Sequence, residues 1–212
     1  MNGVDATPPG VKRWEGPPLE AWRAWSPHEA AERLRGFAAP WCVVGGWAID
    51  LFVGATTRAH GDLEIAIPRP AFARMRTQLS GFALYVPGDG ELRKLADDEE
   101  PPLDRHQNWV LDTTESVWRM DVMLEPGDAT TWVYRRDARL TAPRKQMVAL
   151  RDGIPYLQPQ GALLFKAKYA DLAKSESDLN VCLPHLTPDA RAWLRNALAL
   201  MHPGHAWIER LA

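Results

Sequence analysis

The sequence predicts an α/β (α+β) fold, in which a sheet-containing N-terminal domain precedes a C-terminal helical domain. Short apolar or alternating segments, typical of strands, are interspersed with helical patterns as far as "RDGIPYLQP". Beyond that segment the apolar residues recur at helical spacing only. We therefore expect a loose N-terminal arm over residues 1–26, a mixed α/β domain over residues 27–155 and a helical domain over residues 156–212.

The predicted helices begin at recognisable capping signals. Ser26, Pro27 and Glu29 fit an N-cap, a first helical position and a capping box. Thr187 and Pro188 open the last long helix in the same way. The predicted helical segments are 26–37, 47–53, 70–79, 160–174, 176–183 and 187–201.

The predicted strands are the segments 41–44, 62–67, 82–86, 106–112, 116–124 and 132–137. In "DLEIAI" the alternation puts Asp62 and Glu64 on one face and Leu63 and Ile65 on the other. In "WRMDVML" Asp121 lies on the face opposite an apolar stripe. In each of these two predicted strands, carboxylates thus lie on the face opposite the apolar residues.

The composition narrows the function classes. The chain has 212 residues, of which 46% are hydrophobic and 25% charged, as in ordinary globular proteins. Its net charge of -2 provides no overall basic field for nucleic acid. There is no apolar run of membrane-spanning length and no signal-peptide core, so we expect a cytoplasmic protein. Cys42 and Cys182 lack metal-ligand spacing and are expected to be core residues in a reducing compartment.

The carboxylates suggest metal chemistry. Side chains two residues apart on one strand lie about 6.6–7 Å from each other, so Asp62 and Glu64 could hold cations between them. Mg²⁺ is bound in this way by one or two carboxylates together with substrate phosphates. Asp121 on a neighbouring strand could complete a cluster, and three such acids repel one another unless cations compensate. The alternative is that these residues lie on a solvated strand face.

A glycine pair separates the first predicted strand from the following helix. Gly45 and Gly46 permit close approach of another group to the backbone, and the N–H groups of a helix N-terminus favour a phosphate. The alternative is a plain tight turn. A phosphate at this turn would lie beside the acidic strand that follows.

The stretch "GGWAIDLFVGATTRAHGDLEIAI" resembles the nucleotidyltransferase superfamily of the DNA polymerase beta type. More narrowly, it is similar to the aminoglycoside 2″-nucleotidyltransferase and lincosamide nucleotidyltransferase group, in which G-G-W-A-x-D…T-R-x-H-x-D-[LI]-[DE] recurs. The similarity continues more weakly through residues 27–210. It implies a mixed-sheet nucleotidyltransferase domain followed by a helical domain. Glu64 departs from the aspartate common in that group.

The resemblance also implies roles for individual residues. Asp62 and Glu64 would bind Mg²⁺, with two ions expected, and Asp121 would be a third metal ligand or the base for the attacking hydroxyl. The implied nucleotide-binding residues are Gly45, Gly46, Arg58, His60 and Lys166. For Arg58 and His60, a role in fixing the loop is an equal alternative. Lys166 is favoured over Lys168, which does not share its helical face.

The remaining polar residues are interpreted as structural or solvated. Arg135 and Arg136 fit a surface pair, because only one of two neighbours on a strand can face a cleft. Asp178 fits a solvated helix carboxylate, with acceptance of a hydrogen bond from a substrate amine as the alternative. His106 is expected to be structural. Glu125, at a strand end, is a weaker candidate base than Asp121. The acidic "ADDEE" is expected to be a solvated loop, or else an acidic rim that attracts a cationic aminoglycoside.

Together these features favour a Mg²⁺-dependent nucleotidyltransferase. It would move a nucleoside monophosphate, AMP from ATP, onto a hydroxyl of a small molecule and release pyrophosphate. Candidate acceptors are aminoglycoside or lincosamide antibiotics, which would make the protein an antibiotic-resistance enzyme. The alternatives are a toxin-like enzyme that modifies a protein or tRNA, and a non-catalytic nucleotide-binding protein. Neither a nucleic acid nor a membrane is the favoured partner.

Overall fold

The computed structural model describes residues 16–170 and 172–212. The strands are β1 (Cys42–Val43), β2 (Glu64–Pro68), β3 (Phe82–Gly88), β4 (Glu91–Lys94), β5 (Trp109–Asp112), β6 (Val117–Glu125), β7 (Thr131–Val133), β8 (Thr141–Pro143), β9 (Val148–Arg151) and β10 (Ile154–Leu157). The helices are α1 (Pro27–Arg33), α2 (Gly45–Val53), α3 (Phe72–Gln78), α4 (Arg144–Met147), α5 (Pro159–Ala167), α6 (Ala173–Cys182), α7 (Pro188–Met201) and α8 (Trp207–Arg210). Short 3-10 turns occupy Arg69–Ala71 and Leu183–His185.

The main sheet has eight strands in the order β4-β3-β5-β6-β2-β1-β10-β9, and β7 and β8 form a separate pair. The β2–β6 and β1–β10 pairs are parallel and the remaining pairs are antiparallel. This mixed sheet, flanked by helices, confirms the predicted fold class. The two parallel pairs lie side by side near the middle of the sheet, where β2 and β1 are neighbours.

The helix starts that have a local capping signal form as predicted. The Glu29 N–H donates to the Ser26 hydroxyl, and the Ser26 N–H donates to the Glu29 carboxylate, which completes the capping box of α1. The Ala190 N–H donates to the Thr187 hydroxyl at the start of α7. These side chains satisfy N–H groups that have no partner within the helix.

Several predicted boundaries were wrong. The segment 62–67 is a strand only from Glu64 onward, 106–112 is a strand only from Trp109, and 132–137 is a strand only as far as Val133. The single helix predicted over 160–174 is two helices, α5 and α6, separated by a turn. The break has a tertiary cause: α6 packs back against α5 and α2, which a continuous straight helix could not do.

The division into three parts is less distinct in the structure than in the sequence. Residues 1–15 of the predicted arm lie outside the described residues, but the rest of the arm packs against the sheet. Trp22 forms a parallel bridge with Trp118 of β6, and Trp25 is buried. Strand β10 crosses the expected boundary at residue 155 and pairs with β1. The separation of residues 156–212 as a domain stays a prediction.

One hydrophobic cluster connects the sheet with the C-terminal helices. It includes Val43 and Ile65 of the sheet together with Leu163 and Leu194 of α5 and α7, all of them fully buried. Both cysteines are buried with free thiols, as expected of small core residues. None of the helices in the described part of the chain is long and apolar enough to cross a membrane. The shared core holds α5 and α6 against α2, the helix that follows β1.

Candidate active site

The turn between β1 and α2 is shaped by its two glycines. Helix α2 begins at Gly45, directly after Val44, and no side chain caps it. Gly45 has a φ of +65°, and a Cβ atom there would overlap the Glu64 carboxylate. A Cβ on Gly46 would overlap the Arg58 guanidinium and the His60 ring. The glycines therefore let three functional side chains pack against the open N-terminus of α2.

Glu64 and Asp121 lie side by side at the start of the parallel β2–β6 pair. They are register partners, and the Asp121 N–H donates to the Leu63 carbonyl at 2.8 Å. Partners in a parallel pair direct their side chains to the same face of the sheet. Asp62 precedes the strand and is exposed, so it does not share a regular strand face with Glu64 as the sequence had suggested.

Buried Asp121 and half-buried Glu64 both have raised pKa values. Burial raises the pKa of Asp121 to about 7, and the neighbouring Glu64 charge adds to this, while hydrogen bonds from Gln107 and the Asn108 N–H oppose it. Those donors lie 2.8 Å and 3.1 Å from the Asp121 oxygens. Burial also raises the pKa of Glu64, followed by the Asp62 charge. The site thus concentrates negative charge that a cation would stabilise.

The donor set is suited to Mg²⁺, which prefers carboxylate oxygens and completes its coordination with phosphates and water. Within residues 16–170 and 172–212, however, no three Asp, Glu, His or Cys side chains gather closely enough to hold a metal ion. The three predicted acids therefore do not form a ready-made cage. Glu64 and Asp121 fit an ion that arrives with a triphosphate.

A polar cavity of about 430 Å³ opens beside these acids. Its charged and polar lining comes from four parts of the chain. Arg58, His60 and Asp62 belong to the T-R-x-H-x-D segment, Glu64 to β2, Lys166 to α5 and Lys174 to α6. Gly46 at the N-terminus of α2 also lines it. Gly46 at the start of α2 and three cationic side chains thus border a space next to Asp62 and Glu64.

His60 is held firmly in this wall. Its ring stacks on Trp47 at 4.3 Å, and its Nε2 lies 2.6 Å from the Asp50 carboxylate. Asp50 also accepts from the Thr57 hydroxyl at 2.6 Å. Because the Arg58 guanidinium can only donate, its 3.1 Å contact makes Nδ1 the acceptor and Nε2 the protonated nitrogen. His60 therefore fixes the loop as well as lining the polar cavity.

Asp178 links this loop to the C-terminal helices, which corrects its interpretation as a solvated carboxylate. Its side chain is 1% exposed and lies 3.2 Å from Arg58 and 2.6 Å from Lys166. Lys166 lines the polar cavity, whereas Lys168 lies over the Tyr169 ring at 5.6 Å. Asp178 thus positions two cations that face the same space.

An apolar cavity of about 340 Å³ adjoins the polar one. The two cavities share Glu64, Lys166 and Lys174. The large apolar walls of the second cavity are Met123, Trp132, Leu157, Phe165, Tyr169 and Leu172. Glu64 thus lies where the two spaces meet, whereas its buried register partner Asp121 lines neither cavity.

Two arginines of the apolar cavity had been misread as a surface pair. Arg135 and Arg136 both line this cavity, in a turn that follows the end of β7. Without strand alternation, both side chains can point to the same side. Arg136 donates to the Phe165 carbonyl at 2.7 Å, and Arg135 lies over the Phe165 ring at 5.8 Å.

Glu125 and His106, the two remaining titratable residues considered for the site, are not available for catalysis. Glu125 is buried and paired with Arg144, so its carboxylate is not free to act as a base. His106 lines neither cavity, and burial followed by the charges of Arg135 and Arg136 lowers its pKa to about 4. It is neutral at physiological pH, which is compatible with a structural role.

Sequence reasoning assigned no role to Asp50 and misjudged Asp178. Asp50 lies four residues after Gly46, so both occupy the same face of α2. Asp178 shares the buried face of α6 with Ser175 and Cys182. A carboxylate within the apolar helix α2 was the available signal for Asp50, whereas the largely polar sequence of α6 provided none for Asp178.

The sequence profile of the aminoglycoside-2''-adenylyltransferase family matches residues 28–147. The chain belongs to this family. It is therefore a nucleotidyltransferase, and an NTP is its co-substrate. No curated protein sequence matches the chain.

Two solved structures have a similar fold. The solution structure of the antibiotic-resistance factor ANT(2'')-Ia has a TM-score of 0.53 at 15% identity, covering 86% of this chain and 92% of that one. The lincomycin-bound lincosamide adenylyltransferase LnuA has a TM-score of 0.50 at 14% identity, covering 73% and 92%. At these identities the similarity supports the fold alone.

Proposed function

We propose that this family member is a Mg²⁺-dependent adenylyltransferase that moves AMP from ATP onto a hydroxyl group of a small molecule. The observation that carries this proposal is the Glu64–Asp121 pair, placed beside the uncapped N-terminus of α2. A helix N-terminus stabilises phosphate, and the paired acids suit an ion that comes with it.

The polar cavity would receive the triphosphate. Its β- and γ-phosphates would accept hydrogen bonds from the N–H groups at Gly45 and Gly46, and Lys166 and Lys174 would add positive charge. Bound Mg²⁺, expected as two ions held by Asp62, Glu64 and Asp121, would neutralise the phosphate oxygens. The α-phosphate would then lie at the junction of the two cavities.

The acceptor oxygen would attack the α-phosphorus, and the bond between that phosphorus and the bridging oxygen would break. Pyrophosphate would leave, while Asp121 would accept the hydroxyl proton. Only an ionised carboxylate can accept this proton. Burial and the Glu64 charge raise the pKa of Asp121 in the metal-free protein, and a bound cation would favour its ionised form.

The family name and the antibiotic-related structural neighbours support a small-molecule acceptor and a role in antibiotic resistance. Aminoglycosides and lincosamides are the first compounds to assay. The proposal also includes a cytoplasmic location, where ATP and Mg²⁺ are available, and a division of labour in which residues 27–155 supply the acids and residues 156–212 supply the cations of α5 and α6.

Calorimetry with Mg²⁺ and a non-hydrolysable ATP analogue tests the proposal. Asp62→Asn and Glu64→Gln should each abolish the Mg²⁺-dependent part of nucleotide binding while leaving the fold intact. Asp98→Asn, which removes an exposed carboxylate from the loop after β4, is the matched control and should bind like the parent. Unchanged Mg·nucleotide affinity in both site variants would contradict the proposed metal site.

A further inference from the structure

The charge of the apolar cavity differs from what a polycationic acceptor needs. Among the described residues, its carboxylates are Glu64, which faces the proposed metal, and Glu125, which is paired with Arg144. Its cations are Arg135, Arg136, Lys166 and Lys174. An aminoglycoside, with several ammonium groups, would meet no unengaged carboxylate on these walls.

Arg135 is the notable member of this set. Within the described part of the chain its guanidinium makes no hydrogen bond and no ion pair; it lies over the Phe165 ring at 5.8 Å and experiences the more distant charge of Glu64. It is half-buried, and burial followed by the Arg136 charge lowers its pKa. A partly desolvated guanidinium without an acceptor is stabilised when a ligand supplies an anion.

The acidic loop cannot serve as a cationic-ligand rim for this cavity. Residues 96–100 follow β4, the edge strand, and β3 and β5 separate that strand from β6. Three strand spacings amount to roughly 14 Å. Glu99 of this loop is paired with Arg93 of β4, on the far side of the sheet from β1.

The geometry of phosphoryl transfer assigns the apolar cavity to the acceptor. The attacking and leaving oxygens lie roughly in line through the phosphorus. If pyrophosphate leaves toward Gly46 and Arg58 in the polar cavity, the hydroxyl must approach from the opposite side of the junction at Glu64. The apolar cavity is the second space that adjoins Glu64, so it is the space available to that hydroxyl. This step rests on the proposed function.

We infer that the acceptor is a hydroxyl compound with a flat apolar body and an anionic group, rather than a polycationic aminoglycoside. Trp132, Phe165 and Tyr169 pack against the apolar body. Arg135 binds the anionic group and is the residue that determines specificity for charge. Lys174 contributes to the same positive field at the mouth of both cavities.

Three probes of matched shape test the inference. They are 4-nitrophenyl glucuronide, glucoside and glucosaminide, which carry a negative, a neutral and a positive sugar, with tobramycin as the polycation. Binding is measured by calorimetry on the full chain loaded with Mg²⁺ and a non-hydrolysable ATP analogue. We expect the glucuronide to bind roughly 10- to 100-fold more tightly than the glucosaminide, and tobramycin to bind most weakly.

Two variants test whether Arg135 causes the preference for the glucuronide. Arg135→Gln should remove the preference for the glucuronide, and Arg195→Gln, which changes an exposed arginine of α7, should retain it. Equal or tighter binding of tobramycin or the glucosaminide, no binding of any aryl probe, or an unchanged preference in Arg135→Gln would overturn the inference. Failure of the parent to bind the nucleotide would instead refute the proposed function.

Discussion

Glu64 and Asp121 are register partners on adjacent parallel strands: Asp121 is buried, and Glu64 is half-buried on the same face of the sheet, where it lines both cavities. Burial is the main cause of the raised pKa of Asp121, and the Glu64 charge is the second. In the nucleotide-free protein this arrangement disfavours ionisation. The site therefore has an electrostatic cost that a bound cation would offset.

The first prediction concerns pH and stability without metal. The folded pKa of Asp121 is raised to about 7, above its unfolded value, so its contribution to stability is present at acidic pH and lost as the pH rises to 7. The melting temperature of Asp121→Asn should therefore exceed that of the parent by a margin that grows between about pH 4 and pH 7. Thermal melts in a chelator measure this margin. A difference in melting temperature between the variant and the parent that does not change with pH would contradict the raised pKa of Asp121.

The second prediction concerns the chemical step. If Asp121 chiefly accepts the hydroxyl proton, Asp121→Asn should retain Mg·ATP affinity and reduce turnover by about 10²–10⁴-fold. If it is chiefly a metal ligand, affinity should fall as well. Slow hydrolysis of ATP to AMP can be measured before an acceptor is known. Glu125→Gln is the control and should impair stability more than turnover, since Glu125 is paired with Arg144. Turnover within a few-fold of the parent in Asp121→Asn would exclude both roles.

The third prediction concerns the glycine turn. Gly45→Ala adds a Cβ that overlaps the Glu64 carboxylate at a residue with a φ of +65°. We expect nucleotide binding to be lost because Glu64 must move. Gly90→Ala is a control with a similar φ of +78° and open space around its Cβ, so it should show the backbone strain alone. Equal nucleotide affinity in the two variants would mean that the overlap is relieved without moving Glu64.

The fold could be predicted where its signals are local. The caps of α1 and α7 involve residues three positions apart, so the sequence contains them completely. The predicted strand segments did not include β4, β8, β9 or β10. The position of β10 depends on its pairing with β1, more than 100 residues away along the chain. The break between α5 and α6 depends on packing against α2, which helical periodicity does not record.

The candidate site was predictable to the extent that it lies in one stretch of sequence. Gly45 and Glu64 both come from that stretch and are in contact, and Asp121 lies beside Glu64; the roles that the resemblance implied for them stay predictions. Asp178 and Arg135 were misjudged because their environments are created by distant segments. An isolated carboxylate on a polar helix has the sequence pattern of a solvated residue, and only the folded chain places it between two cations.

The fourth prediction compares two lysines of the C-terminal part. Lys166→Ala should weaken Mg·ATP binding, because Lys166 lines both cavities. A charge-assisted contact of this kind contributes roughly 1.5–3 kcal/mol, which corresponds to about 10- to 150-fold in affinity. Lys168→Ala should have much less effect, since Lys168 lies over Tyr169. Calorimetric titrations that show equal, negligible losses would exclude Lys166 from the nucleotide site.

The last prediction concerns the carboxylate that holds Arg58 and Lys166. Asp178 is almost fully buried and is the ion-pair partner of both cations. Asp178→Asn would leave two largely buried positive charges without their anion, and breaking a buried pair in this way costs about 3–5 kcal/mol. Chemical denaturation should therefore show a large loss of unfolding free energy, whereas Asp98→Asn should stay within about 0.5 kcal/mol of the parent.

Nucleotide should partly restore the stability of Asp178→Asn, since the triphosphate would supply negative charge to Arg58 and Lys166. We expect Mg·ATP to raise the melting temperature of the variant by more than it raises that of the parent. A purely structural role for Asp178 would give equal increments. A variant as stable as the parent would show that the two cations do not depend on Asp178, and the position of Lys166 in the polar cavity would then require another cause.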